Sequence, residues 1–408
     1  MLINFVNYVD RQIIFSLFPS IRREFSLTYE QLGLFPFAFT VVLAVMSLPL
    51  GMLADRTSRK LVISAGVIFW SAATFFSGLA GSFRSLLAAR GMVGVGEAAY
   101  TPAGTAVISA TFPKDVRARV QGFFDAGMFV GGGVGIALGG IVAAWLGWRA
   151  AFFIVGIPGL ILGLTGLRLP EPPEAEPHAK LPLRELARVP AYLMILASGL
   201  FSSFAGYAYV TWGFSFIEEY RGFTPRESGI ILGVTGIIAG ALGILTGATL
   251  ADHLSRRWTW GRSIIVPIGF FLASPLIFFG LHTYSKLNFT LLFGSGTFFL
   301  SWYHGPVTAT IHDVIPSRGH ATAQGFYSSF VNLFGMALAP VLIGAIADRS
   351  GLVSALHAAV AAQVLGGALF LGVPYFIWRN GMHHPALDRY WEAEKLKGNA
   401  GSAATGTL

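Results

Sequence analysis

The sequence has 408 residues, of which 54% are hydrophobic and 12% are charged, and its mean hydropathy is +0.64. A soluble domain has about 25% charged residues, so this composition excludes the soluble globular classes and indicates a polytopic membrane protein. The absence of cysteine excludes disulfides, thiol catalysis and cysteine-based metal sites. The net charge of +8 is explained by the basic residues concentrated on one side of the membrane, as described below. We therefore expect no nucleic-acid partner.

Apolar segments follow one another from the first residues. A transmembrane helix needs about 20 predominantly apolar residues. We predict twelve spans, at 3–22, 30–54, 61–80, 83–111, 116–146, 149–168, 191–218, 227–251, 263–282, 288–312, 321–347 and 353–378. The first carries Asp10 and Arg11 in its middle, whereas the apolar region of a signal peptide is uncharged. We therefore interpret it as a membrane helix and expect the natural N-terminus to lie upstream of Met1.

A polar segment, "RLPEPPEAEPHAKLPLRELARVP" at 168–190, divides the spans six and six. Its prolines break helical periodicity. We predict two six-helix domains, 1–168 and 191–379, joined by a linker at 169–190 and followed by a polar tail at 380–408. If the linker is cytoplasmic, its side holds 18 of the 28 basic residues and the other side holds 8. This excess places both termini and the linker in the cytoplasm.

The two halves of the sequence are related. The segments "YTPAGTAVISATFPKDVRARVQGF" (100–123) and "YHGPVTATIHDVIPSRGHATAQGF" (303–326) agree at nine of 24 positions without a gap. A shorter segment, "LADRTSRK" (53–60), recurs as "LADHLSRR" (250–257). Parallel duplication is typical of transporters whose halves rock about a site at the middle of the membrane. The predicted fold class is an all-α membrane protein with twelve transmembrane helices in two six-helix pseudo-repeats.

The segment "GMLADRTSRK" (51–60) resembles the loop 2–3 signature of the major facilitator superfamily, and the resemblance implies the major facilitator fold. We predict a conformational latch, in which the aspartate pairs with a basic group in one conformation and releases it in the other. Gly51 is expected to let helices approach closely. The alternative is ordinary positive charge on the cytoplasmic side. The predicted latch residues are Gly51, Asp55, Arg56, Arg59, Lys60, Asp252 and Arg256.

The segment "GGGVGIALGG" (131–140) supplies small residues at four-residue spacing. Small residues let two helices touch backbone to backbone. We predict that this segment packs at the interface between the two halves. The two rows are Gly131, Gly135 and Gly139, and Gly132, Ile136 and Gly140.

Ionisable side chains lie deep in the first and fourth spans. Each costs about 3 kcal/mol to insert, so such residues are functional by default. Arg90 and Glu97 are seven residues apart, which places them on one helix face, about 10.5 Å apart along the axis. Because that is too far for a direct pair, each needs a partner from another helix, and Asp10 and Arg11 offer one of each sign. The alternative is a structural ion-pair cluster.

Three segments resemble the spinster family of the major facilitator superfamily: "NYVDR" (7–11), "RGMVGVGEAAY" (90–100) and "VIPSRGHATAQ" (314–324). This chain has Met92 and Ala99 where the family has Leu and Ser. The resemblance implies a secondary transporter of lysophospholipids or sphingoid phosphates by alternating access, proton-coupled in some members. For a bacterial member it implies the inner membrane.

Carried over to this sequence, the resemblance assigns protons to Asp10 and Glu97, and acidic partners or the lipid headgroup to Arg11 and Arg90. Aromatic and histidine side chains in spans four, seven and ten are further candidates for substrate contact, although many such side chains only pack. They are Tyr100, Tyr207, Trp212, Tyr303 and His304.

Two alternative functions remain open. The same fold could carry a small organic anion or a drug with protons. An integral membrane enzyme acting on lipids is a different class, but the sequence shows no metal-ligand cluster and no nucleophile spaced with a base. We therefore expect a monomeric transporter without cofactor or metal, whose partners are the bilayer, protons and a lipid-like substrate.

Overall fold

The computed structural model describes residues 1–111, 114–168 and 182–382, together with Leu387 and Tyr390. Within these ranges it describes the main chain alone at 55, 56, 59, 101–111, 114–126, 129 and 321. The side chains of the predicted latch residues Asp55, Arg56 and Arg59 therefore lie outside the described set.

The described chain is helical, with no strand. Nine spans are single helices: α1 Leu2–Phe25, α2 Tyr29–Arg56, α3 Arg59–Ser77, α4 Phe83–Thr111, α5 Lys114–Leu146, α6 Trp148–Gly166, α7 Pro190–Arg221, α8 Pro225–Ser255 and α9 Ile265–His282. Three spans are composite: α10 joins Lys286–Leu300, the 3-10 turn Ser301–Tyr303 and His304–Val314; α11 joins His320–Phe330, the π-helical Val331–Met336 and Leu338–Ser350; α12 joins Leu352–Phe370 and Gly372–Asn380. A short helix, Leu183–Leu186, precedes α7.

Each predicted span coincides with one of these helices to within a few residues. Eight described helices are long and apolar enough to cross a membrane. The helix that the sequence predicts from residue 3 begins at Leu2, and its two central charges do not interrupt it.

The second helix of each half begins with the same capping device. At α2, the Thr28 side chain accepts a hydrogen bond from the Gln31 backbone N–H, and the Gln31 side chain accepts one from the Thr28 backbone N–H. Thr224 and Glu227 repeat this capping box at α8. A capping box satisfies two backbone donors that the first helical turn leaves unpaired. The pseudo-repeat seen in the sequence thus extends to the local structure of the helix starts.

The glycine-rich row of α5 that faces α1 packs within the first half. A Cβ atom at Gly131 would lie 2.5 Å from the Phe5 carbonyl oxygen, and one at Gly135 would lie 2.6 Å from the Val9 carbonyl oxygen. Gly139 likewise abuts Ile13. The prediction that this row lies between the halves is wrong, because it turns toward a neighbouring helix of its own half.

A different face of α5 does reach the second half. A Cβ atom at Gly140 would lie 2.5 Å from the Pro225 carbonyl oxygen, and one at Gly133 would meet Gly233 and Ile237 of α8. Backbone contact at Gly133 and Gly140 therefore joins the halves along α5 and α8. Only this part of the predicted interface is confirmed.

The two halves are tied together at one end of the molecule. We call the helix ends next to the linker the linker face and the opposite ends the far face. At the far face, Arg22 Nη1 of α1 lies 2.8 Å from Glu219 Oε2 of α7, and Arg23 Nη2 lies 3.3 Å from Glu218 Oε1. The Tyr29 hydroxyl donates to Glu219 at 2.5 Å.

Asp348 at the end of α11 also crosses between the halves. Its Oδ1 accepts from the Tyr29 backbone N–H at 2.8 Å, and its Oδ2 accepts from the Glu30 N–H at 2.9 Å. A carboxylate at a helix N-terminus satisfies free backbone donors and complements the helix dipole. Among the described residues, every hydrogen bond and ion pair between α1–α6 and α7–α12 lies at the far face. The halves are therefore closed against each other on that side.

Asp348→Ala is expected to loosen this closure. Loss of a helix N-cap costs about 1 kcal/mol, which corresponds to about five-fold in the equilibrium between closed and open far faces. Because the chain has no cysteine, a single cysteine at the buried Ser215, on the same face of α7 as Trp212 and Glu219, reports opening through its rate of maleimide labelling. Labelling should rise several-fold in Asp348→Ala and stay unchanged in the control Glu30→Ala. An unchanged rate in Asp348→Ala would show that the cap does not hold the closure.

Candidate substrate and proton site

Two ion pairs join α1 to α4 in the interior of the first half. Arg11 Nε lies 2.5 Å from Glu97 Oε2, and Arg90 Nη1 lies 3.0 Å from Asp10 Oδ1. Each pair takes one member from each helix. The prediction that Arg90 and Glu97 find their partners on another helix is confirmed.

Glycines let α4 pack closely against α2 and α3 in the stretch that carries Arg90 and Glu97. A Cβ atom at Gly94 would lie 2.6 Å from the Phe39 carbonyl oxygen of α2. One at Gly96 would lie 2.6 Å from the Trp70 backbone nitrogen of α3. Any larger residue at either position would push α4 outward. The glycines between Arg90 and Glu97 thus determine how closely α4, which carries both charges, packs against α2 and α3.

The two pairs differ in their access to solvent. The Asp10 and Arg90 side chains are 2% and 3% exposed, so that pair is sealed in protein. Thr74 of α3 donates a hydrogen bond to Asp10 Oδ2, and the Arg90 guanidinium faces the Phe152 ring. In the other pair Glu97 is fully buried, whereas the Arg11 side chain is 19% exposed. Arg11 is therefore the one of the four groups that a ligand can reach.

Aromatic rings frame the Arg11 guanidinium. Its carbon lies 5.0 Å from the centroid of the Tyr8 ring and 5.3 Å from that of Phe39. A guanidinium attracted to ring faces keeps a defined orientation while its nitrogen donors remain available. The site can therefore present an oriented cation beside a buried carboxylate and apolar walls.

The predicted aromatic candidates separate into three groups. Tyr207 of α7 packs edge-on against Phe15 at 5.8 Å between ring centroids and interacts electrostatically with Arg11. Tyr100 packs against Trp70 at 5.4 Å, and it also lies within electrostatic range of Arg11. Both therefore belong to the neighbourhood of the charge cluster.

Tyr303 and His304 form a separate group in the second half. Their rings stack at 4.1 Å between centroids, and Tyr303 also packs against Phe270 of α9 at 5.7 Å. Trp212 is fully buried by Phe18 at 5.5 Å and Tyr29 at 5.6 Å. The expectation that Trp212 lines an open cavity is wrong for this conformation, because its ring fills the far-face closure.

The second copy of the loop motif forms a charge network at the linker face. Asp252 lies 3.5 Å from Arg262 Nη2, and Arg262 Nη1 lies 2.6 Å from Asp313 Oδ2 of α10. Arg256 is exposed at the end of α8. The motif alone missed Arg262 because this cation lies beyond it, in the following loop. Asp252 thus has a basic partner, Arg262.

The first copy is described in part. Lys60 is half-buried at the start of α3. Nothing lies within 4 Å of a Cβ atom built at Gly51. The expectation that Gly51 permits a close helix contact is wrong in this conformation as far as the described residues go, since none of their atoms approaches it.

Comparison with known proteins places the chain in a family. Residues 1–340 match the family model described as Major Facilitator Superfamily. The chain therefore belongs to the major facilitator superfamily, as the twelve helical spans of its described residues and its repeated halves indicate.

The resemblance to spinster proteins is also confirmed. The chain is 28% identical over 422 residues to Protein spinster homolog 1 of Homo sapiens, covering 92% of this chain and 79% of that protein. It is similar to the crystal structure of a bacterial homolog to the human lysosomal transporter Spinster in an inward-facing, unoccupied conformation. The TM-score is 0.83 at 25% identity, covering 93% of this chain and 96% of that one.

Other relatives carry different names. The chain is 30% identical over 382 residues to an MFS-type efflux pump of Mycolicibacterium smegmatis, covering 91% of this chain and 86% of that protein. It is 25% identical over 371 residues to the hexuronate transporter of Bacillus subtilis, covering 85% and 86%. The family and the structural neighbours are transporters, so the prediction that the chain is not an enzyme is confirmed. It is a spinster-like secondary transporter embedded in the membrane by many helices.

Proposed function

We propose that this protein carries anionic amphiphiles, such as lysophospholipids or sphingoid phosphates, by alternating access coupled to protons. The observation that carries the proposal is Arg11, which is partly exposed, framed by Tyr8 and Phe39, and paired with the buried Glu97. A guanidinium binds a phosphate group through paired hydrogen bonds, and aromatic side chains accept an acyl or sphingoid chain.

Competition for Arg11 couples the substrate to the proton. An ionised Glu97 occupies the Arg11 Nε. When Glu97 takes up a proton, its attraction for Arg11 weakens and the guanidinium becomes available to a phosphate. By linkage, a phosphate bound to Arg11 favours protonation of Glu97 to the same extent. Proton and substrate are therefore bound together. Both leave when the halves rock and the site opens to the opposite side of the membrane.

The far-face closure supplies the second part of alternating access. Arg22, Glu219 and Asp348 hold the halves together in the present conformation. Transport requires these contacts to part while the linker face closes. We further propose that the protein lies in a bacterial inner membrane as a monomer, with its linker and termini in the cytoplasm, and that the linker divides it into domains 1–168 and 191–379.

Roles for the remaining candidates follow from their positions. Tyr207 and Tyr100 would contact the substrate beside Arg11. Tyr303 and His304 would contact it from the second half. Asp252 with Arg262 and Asp313 would form the second-half latch, and Asp55 with Arg56 the first.

The second candidate function is transport of a small organic anion or a drug with protons. It is favoured by the similarity to a hexuronate transporter and to an efflux pump. Binding competition on the purified protein separates the two. A lysolipid with a phosphate headgroup should displace a labelled lysolipid at far lower concentration than a hexuronate, which lacks an apolar chain. Equal potency of the hexuronate would favour the small-anion carrier.

Arg11→Ala is expected to weaken binding of a lysolipid phosphate by about ten- to 100-fold, because hydrogen bonds to charged groups contribute about 1.5–3 kcal/mol each. Binding of an uncharged analogue of equal chain length should change much less, since that headgroup gains little from a cation. Equilibrium binding in detergent measures both. Arg84→Ala removes an exposed arginine and is the matched control. Equal losses for the two ligands would make Arg11 a structural residue.

A further inference from the structure

The Asp10 carboxylate is held on both of its oxygens. Arg90 Nη1 lies 3.0 Å from Oδ1, and the Thr74 hydroxyl donates to Oδ2. Thr74 and Asp10 are both essentially inaccessible to solvent. The hydroxyl therefore acts on Asp10 from a third helix, α3, opposite to the α4 guanidinium.

This arrangement decides which acid pairs with which base. Asp10 and Glu97 lie close enough to interact electrostatically, so two carboxylates and two guanidiniums share one buried cluster. Among the described residues, the side chains that face the cluster with charge or a titratable group are Tyr8, Arg11, Arg90, Glu97, Tyr100 and Tyr207. Thr74 and Arg90 occupy the two oxygens of the Asp10 carboxylate. Arg11 therefore pairs with Glu97 and not with Asp10.

We propose that Thr74 is a positioning residue that locks Asp10 to Arg90 and so reserves Arg11 for exchange between Glu97 and the substrate. The proposal rests on the proposed function, in which Arg11 moves between these two partners. Without the Thr74 hydroxyl, Asp10 Oδ2 becomes a buried acceptor that competes with Glu97 and the substrate for guanidinium donors. Loss of the hydroxyl should therefore impair the coupling of transport to protons more than it impairs transport without a gradient.

A double-mutant cycle on stability tests the lock without any substrate. Thr74→Val keeps the side-chain shape and removes the hydroxyl. It should lower the apparent Tm of the purified protein by about 3–5 °C, and it should have little effect in the background Asp10→Leu with Arg90→Met, where there is no carboxylate to hold. Thr211→Val is the matched control, because the buried Thr211 hydroxyl has no hydrogen-bond partner among the residues that the structure describes. Equal losses from Thr74→Val in both backgrounds would overturn the proposal.

A transport experiment tests the consequence. In proteoliposomes, Thr74→Val should reduce uptake of a lysolipid phosphate driven by a pH gradient about ten-fold, while exchange without a gradient falls about three-fold or less. Thr74→Ser, which restores the hydroxyl, should recover the gradient-driven rate. Uptake and exchange that fall together, without recovery in Thr74→Ser, would contradict the positioning role. Failure of the wild-type protein to move lysolipid would count against the proposed function alone, and the stability cycle would still decide the role of Thr74.

Discussion

Glu97→Gln is expected to abolish the stimulation of uptake by a pH gradient while substrate binding is retained. Glutamine keeps the shape of the protonated acid and its contact with α1, but it cannot release or take up a proton. Arg11 would then be permanently available to the phosphate, so binding and gradient-free exchange should persist. Initial uptake rates in proteoliposomes, with and without an imposed gradient, measure the effect.

The matched control is Glu30→Gln, which neutralises an exposed carboxylate at the start of α2. That variant should respond to the gradient as the wild type does. Gradient-driven uptake by Glu97→Gln at the wild-type rate and with the wild-type pH dependence would remove Glu97 as the coupling carboxylate. Asp10, the other acid of the cluster, would then be the next candidate to test.

Arg90→Met is expected to be the most destabilising single change in the site. Removing one partner of a buried ion pair leaves an uncompensated charge and costs about 3–5 kcal/mol. Replacing both partners by apolar residues removes that charge, so Asp10→Leu combined with Arg90→Met should recover most of the lost stability. Thermal unfolding of the detergent-purified variants measures the difference as a change in apparent Tm.

Arg84→Met serves as the control, since Arg84 is exposed and its loss should leave the Tm nearly unchanged. If Arg90→Met were as stable as the wild type, the Asp10–Arg90 pair would have water or another partner in the folded protein. The interpretation of Asp10 and Arg90 as a sealed, structural ion pair would then be wrong.

The membrane spans and the fold could be predicted from the sequence because both depend on local composition. A run of about 20 apolar residues must be a helix in a bilayer, where backbone groups have no water to bind. The seven-residue spacing of Arg90 and Glu97 likewise fixes one helix face, which is enough to require partners from another helix. The duplicated loop motif and the spinster-like segments supplied the family.

The pairing within the site could not be predicted. Asp10 and Arg11 are adjacent on α1, so the sequence permits either to face Arg90 or Glu97. The choice depends on how closely glycines let α4 approach α2 and α3 and on a hydroxyl, Thr74, contributed by a third helix. The glycines at 94 and 96 indicate close packing, but the role of the threonine has no signature in one sequence, because a threonine in a membrane helix usually bonds its own backbone.

The far-face contacts between the halves could not be predicted from the sequence either. Trp212 looked like a cavity residue, but the far-face closure buries it. Asp348 caps a helix more than 300 positions earlier in the chain. Such contacts form in only one conformation of a protein that alternates between two. Because one sequence is compatible with both conformations, it does not indicate which contacts form in which.

The most direct test of proton-coupled transport of anionic amphiphiles is the uptake of a labelled lysolipid phosphate into proteoliposomes of the wild-type protein, with and without a pH gradient. We expect the gradient to accelerate uptake, a protonophore to cancel that acceleration, and an excess of hexuronate to leave it unaffected. Uptake of the hexuronate in place of the lysolipid would contradict the proposed cargo. Lysolipid uptake at the same rate with and without the gradient would contradict the proposed role of the Arg11–Glu97 pair in coupling.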